Sequence, residues 1–105
     1  MIDVAISFTT TNREKEAKKI ARELVEQKLA ACVNVIPKVQ SFYEWDGEIH
    51  DDSEYLLIIK SPKTKLDLVK GFIDTYHSYE VPEFISIDVT DGLPDYLQWI
   101  KDMTA

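Results

Sequence analysis

The spacing of apolar residues changes period several times along this chain, and each change marks an element. Residues 2–9 are rich in Ile, Val, Phe and Thr, the composition of a strand. Ala17, Ile20, Ala21, Leu24, Val25 and Leu29 then recur at three- and four-residue spacing. That predicts a helix with one apolar stripe and a face of Glu, Lys and Arg opposite. Thr11-Asn12-Arg13-Glu14 matches a capping box at its start. From Ala31 to Trp45 the pattern is β-like, interrupted at Pro37, which cannot donate to a ladder and so marks an edge or a bulge. Asp46-Gly47 is a type I′ hairpin signal, and Glu48 to Ser61 returns as the partner strand. A second helix is expected from about Pro62 to His77, with Leu66, Val69, Phe72, Ile73 and Tyr76 as its stripe. Phe84 to Val89 reads as a last strand, and a short helix from Pro94 carries Tyr96, Leu97, Trp99 and Ile100.

The order β-α-β-β-α-β plus a tail helix predicts an α+β, ferredoxin-like fold: an antiparallel sheet with two helices on one face. The central hairpin is unusual. Its arms run to about 14 residues, against a usual ~5–6. At ~3.3 Å per residue an arm can reach about 45 Å, whereas a compact domain of this length is roughly 34 Å across. A straight hairpin overhangs the body, and a bent one breaks near Pro37. With a two-residue turn, Trp45 faces Glu48 and Tyr43 faces His50. Phe42, Tyr43 and Trp45 then lack apolar partners within one copy, which makes the hairpin a surface for self-association.

Composition narrows the function. The 105 residues suffice for one domain, expected to span positions 1–105. Nineteen acidic against twelve basic residues give a net charge of −7, which argues against a nucleic-acid partner. The first residues have no basic segment and only a short apolar run, so neither a targeting segment nor a membrane span is expected. Cys32, the single cysteine, cannot form an internal disulfide, so a reduced, cytoplasmic setting is expected. No G-x-S-x-G, H-E-x-x-H, C-x-x-C or phosphate-loop motif is present, so no enzymatic activity is expected.

Several words in this chain occur together in a known family. They are Leu29-Ala30-Ala31-Cys32-Val33-Asn34, Ser41-Phe42-Tyr43-Glu44-Trp45-Asp46-Gly47, Lys60 closing the third strand, His77-Ser78-Tyr79-Glu80-Val81-Pro82-Glu83, and Tyr96-Leu97-Gln98-Trp99-Ile100. In this order and spacing, over almost the whole chain, they resemble the CutA family of divalent-cation tolerance proteins. The resemblance implies a homotrimer built like the PII signalling proteins, a cytoplasmic role in the response to divalent metal ions, copper especially, and weak metal binding without a tightly held cofactor. It also implies an inter-subunit pocket made by Cys32, Trp45, Glu54, Lys60 and Tyr79. Two words depart from the family. Ser78 stands where the family has proline, and Phe8 and Tyr76 stand where copper-binding members have a thiol and a second histidine.

Each candidate residue carries two readings. Cys32 is either buried packing or a soft ligand for copper or zinc. His77 and Glu83 are six residues apart across a helix end, placed either to cap and pack or to bind copper or zinc. His50, Asp51 and Asp52 are either a solvated face or a loose cation site. Trp45 and Tyr79 serve as interface anchors or as pocket walls. Two functions follow: a trimer that binds divalent cations weakly, or a PII-like signalling trimer that takes a small molecule or protein in the cleft between subunits. An RNA-binding domain shares the element order, but Glu54 to Ile59 lacks the stacking pattern of such domains.

Overall fold

A computed structural model describes residues 2–105. Strand β1, Val4–Thr11, leads into helix α1, Glu14–Glu26. The hairpin follows as β2, Cys32–Trp45, and β3, Glu48–Pro62. A 3₁₀ turn at Lys63–Lys65 leads into α2, Leu66–Tyr76. The chain closes with β4, Ile85–Asp88, and α3, Pro94–Met103. The sheet order is β2-β3-β1-β4 with every neighbour antiparallel, the ferredoxin-like arrangement.

Ala17, Ile20 and Leu24 of α1 and Val69, Phe72 and Ile73 of α2 pack on Leu57 and Ile59 of β3 to form the main core. Lys28, in the left-handed region at φ 59°, turns the chain away after α1, so Leu29 reaches the core from the turn and Val25 is left exposed. Tyr76 lies at the end of α2 and is 62% exposed, tilted against Phe72, rather than completing the buried stripe. The expected capping box does not form. β1 continues through Thr11, and the Thr11 hydroxyl donates to Glu16 at 2.6 Å. Glu14 instead takes Lys18 at 3.1 Å and the Tyr55 hydroxyl at 3.2 Å.

The hairpin overhangs as its length requires, giving the molecule extents of 45 × 25 × 22 Å. Asp46 and Gly47 both have positive φ, 52° and 78°, as a type I′ turn needs. Trp45 pairs with Glu48 and Tyr43 with His50. At Pro37 the ladder breaks: Ile36 pairs with Leu56 but Val39 with Glu54, so β2 carries one extra residue there. Lys38 takes up the bulge at φ 62°. Because side chains alternate along a strand, that one residue inverts the faces. Cys32, Asn34 and Ile36 share a face with Lys60, Ile58 and Leu56; beyond the bulge Val39, Ser41, Tyr43 and Trp45 take over that face opposite Glu54, Asp52, His50 and Glu48.

The two faces of β1 are unequal in an unexpected sense. Ser7 pairs with Ile59 and Thr9 with Leu57, so the helix-covered face of β1 carries Ala5, Ser7, Thr9 and Thr11. The opposite face carries Ile6 and Phe8 beside Ile58, Leu56, Ile85 and Ile87. α3 covers only one end of that face, where Ile100 packs on Val4 and Ala31. Ile85 and Ile87 stay 58% and 54% exposed.

Candidate functional site

A groove of about 590 Å³ opens where the inner part of the hairpin overhang meets the loop after α2. The hairpin supplies Ser41, Phe42, Tyr43, Trp45, Asp52 and Glu54; the end of β1 supplies Thr10 and Asn12; the loop supplies Tyr79, Glu80, Val81 and Glu83. The bulge at Pro37 is what aims Tyr43 and Trp45 at this side. Four carboxylates and no Lys, Arg or His line the groove.

The loop is held in place by a chain of hydrogen bonds that starts at His77, whose side chain is fully buried. Its Nε2 lies 2.7 Å from the Thr10 carbonyl, and its Nδ1 accepts the Tyr79 N–H at 3.0 Å. The acceptor role of Nδ1 places the proton on Nε2, which donates to Thr10, so both ring nitrogens are engaged within the chain. Tyr79 is thereby aimed at Glu54, to which its hydroxyl donates at 2.6 Å. Burial first, and then that carboxylate, push the Tyr79 phenol far above its ordinary range. Glu16 braces the other side. It accepts the Thr11 and Ser78 hydroxyls at 2.6 and 3.0 Å and lies 3.7 Å from His77 Nδ1. Ser78, where the family has proline, therefore tethers the loop through its hydroxyl.

The sequence-predicted site residues divide. Trp45, Glu54, Tyr79 and Glu83 meet in the groove. Cys32 and Lys60 are partners at the far end of the hairpin, with Lys60 Nζ 5.8 Å above the Tyr96 ring. Six residues of strand, roughly 20 Å, separate Lys60 from Glu54, so one chain does not bring the whole set together. Strand alternation puts Asp51 on the opposite face from His50 and Asp52. His50 stacks on Tyr43 with ring centroids 5.2 Å apart, Asp51 accepts Gln40 and Asp52 accepts the Tyr43 hydroxyl. Phe8 lies on the open sheet face, away from Tyr76 on α2. Among the described residues no three His, Cys, Asp or Glu side chains converge as a metal cage. Sequence reasoning missed Glu16, because its partners come from β1 and from a loop 62 residues away.

Electrostatics distinguish the two glutamates. Burial raises the Glu16 carboxyl, but hydrogen bonds from Thr11 and Ser78 and the nearby His77 outweigh it and hold the group below its ordinary value of 4.5. Burial, then the Glu54 charge, push Glu83 upward. A lowered carboxylate stabilises the fold above its unfolded value and loses that contribution as pH falls through the folded one. Glu16→Gln is therefore expected to cost about 1–2 kcal/mol at pH 7, the worth of charged hydrogen bonds. In denaturant titrations the deficit should shrink as pH drops below 4.5; a deficit constant with pH would mean that the charge is not what braces the loop.

A ferredoxin-like sheet with an overlong hairpin and an acidic, aromatic groove along that hairpin's outer half defines a class of small α+β domain. Residues 5–103 match the model of the CutA1 divalent ion tolerance protein family, and the chain belongs to that family. It is 46% identical over 101 residues to Protein CutA of Mus musculus, covering 96% of this chain and 57% of the mouse protein. The chain thus spans little more than half the length of the mammalian relatives it matches. The divalent-cation tolerance protein CutA of Thermus thermophilus is 38% identical, covering 95% of this chain and 97% of that one. The crystal structure of CutA from Xylella fastidiosa superposes with a TM-score of 0.95 at 36% identity, covering 98% of this chain and 99% of that one. CutA1 from Shewanella sp. SIB1 gives 0.93 at 42% identity, covering 96% and 94%. No helix among the described residues is long and apolar enough to cross a membrane.

Proposed function

We propose that this chain acts as a cytoplasmic homotrimer in divalent-cation tolerance, binding metal ions weakly in the acidic groove rather than catalysing a reaction. The observation that carries the reading is the inverted polarity of β1. Ser7 and Thr9, under the helices, are fully buried, whereas the more apolar Ile6 and Phe8 face outward with Ile58, Ile85 and Ile87. A sheet that spends its small polar side chains on its own core and its large apolar ones on an open face needs a second surface there. Further copies of the same chain supply one, with the unpaired edges of β2 and β4 available for pairing between them. In such an assembly Lys60 and Cys32 of one copy can approach the groove of the next, reuniting the set that one chain separates. The single thiol of Cys32 suits a reducing compartment.

The metal reading rests on Glu54 and Glu83, which share the groove and repel one another's charge. Two carboxylates completed by water hold a divalent ion loosely, since such ions want about six oxygens. His77 serves as the organiser of the loop. Calorimetric titration with Cu²⁺, Zn²⁺ and Ca²⁺ is expected to show weak binding that Glu83→Gln reduces. Heats identical in the wild type and Glu83→Gln would remove the groove as the metal site.

A further inference from the structure

We propose that His77 is a proton-operated latch on the loop after α2: a proton taken up on Nδ1 turns the ring from the loop to Glu16, and the loop lets go of the groove. The side chain is fully buried, and both ring nitrogens are engaged within one chain. Nε2 donates to the Thr10 carbonyl and Nδ1 accepts the Tyr79 N–H, a pair of bonds that only the neutral imidazole can make. A proton on Nδ1 sets two donors face to face across 3.0 Å, so the bond to Tyr79 must break. A receiver for the new N–H already stands 3.7 Å away, the Oε1 of Glu16. That oxygen accepts the Thr11 and Ser78 hydroxyls, which fill its two lone pairs. An Nδ1–H arriving there displaces one of them. Thr11 is buried, so the exposed Ser78 is the one that yields. One proton thus undoes two ties of the loop, at Ser78 and at Tyr79.

The groups around the ring leave Glu16 as its charged partner. Among the described residues Glu16 is the one carboxylate within ion-pair distance of it. Glu14, the preceding acid on α1, is turned to Lys18 and Tyr55. On α2 Asp74 is exposed, and β1 presents the Thr10 carbonyl. On the loop Glu80 is exposed, and Tyr79 lies against the ring with centroids 4.6 Å apart. Beyond Tyr79 stand Glu54 of β3, which accepts its hydroxyl, and Glu83. Release of the loop takes that hydroxyl from Glu54 and frees the wall formed by Tyr79, Val81 and Glu83, so the latch sets the shape of the groove whatever the groove holds. Histidine ordinarily gains its proton between about pH 8 and 5, which is the range in which the latch is read.

The test is nuclear magnetic resonance of the ¹⁵N-labelled, metal-free full chain, titrated from about pH 8 to about pH 5. At the upper end the His77 ring should show its proton on Nε2. As pH falls, the ring nitrogens and the Tyr79 amide should shift with one common midpoint, and hydrogen-exchange protection of the Tyr79 amide should drop at least about tenfold, as local opening requires. The Ser7 amide, inside β1, should hold its protection. Glu16→Gln removes the charge that receives Nδ1–H and should lower the ring's proton affinity at least about tenfold. His77→Gln should abolish the pH response of the Tyr79 amide; if it fails to fold, the wild-type and Glu16→Gln titrations still decide. A His77 ring that stays neutral until the sheet unfolds, a ring that titrates while the Tyr79 amide stays protected, or an unchanged midpoint in Glu16→Gln overturns the proposal.

Discussion

Replacing Ile58 with Glu is expected to dissociate the proposed trimer and lower its thermal midpoint on the order of 10 °C or more. Ile58 pairs with Phe8 and Asn34 on the open face of the sheet. In an isolated chain that face is half-exposed, and a carboxylate there meets water at little cost. In the proposed trimer the same carboxylate would be buried between copies without a partner. Leaving one charge uncompensated in a buried setting costs about 3–5 kcal/mol, and each kcal/mol moves the midpoint of a domain this size by roughly 4–8 °C. Sedimentation velocity and thermal melting at several protein concentrations give both readouts. The wild-type midpoint should rise with concentration, because association stabilises the native form by mass action. An Ile58→Glu variant with unchanged mass and midpoint would mean that the open face stays open.

The second large effect is expected at His77. His77→Ala should cost about 2–4 kcal/mol in denaturant unfolding, since the Thr10 carbonyl and the Tyr79 N–H each lose a buried partner at ~1–3 kcal/mol apiece. The loss should be present in protein treated with EDTA. A residue needed only as a metal ligand would leave the metal-free protein unharmed. Tyr79 should also lose its alignment on Glu54, so that metal binding falls as well, whereas Glu83→Gln affects binding without a comparable loss of stability. Metal-free His77→Ala with wild-type stability would return His77 to the list of ligands.

Much of the fold was legible because it is written in periodicity and turn chemistry. The stripe Ala17, Ile20, Leu24 and the Asp46-Gly47 turn are local signals, and Pro37 marked the bulge for a local reason, its missing donor. What the sequence hid depends on long-range partners. Thr11 and Glu14 fit a capping box by spacing, yet Glu16 took the Thr11 hydroxyl because β1 runs on to Thr11 and brings that side chain over α1. The consequence of the bulge was equally hidden: a one-residue shift decides whether Trp45 faces the groove, and register between strands is not visible in one strand alone. The family words placed Cys32, Trp45, Glu54, Lys60 and Tyr79 together, but one chain gathers only three of them, because the hairpin is long enough to hold its two ends apart.

Self-association is the claim on which the shared groove and the covered sheet face both depend. Sedimentation equilibrium of the wild-type chain at micromolar concentration tests it most directly. The account predicts a single species with the mass of three 12.1-kDa chains. A species of 12.1 kDa that persists as concentration is raised would contradict it.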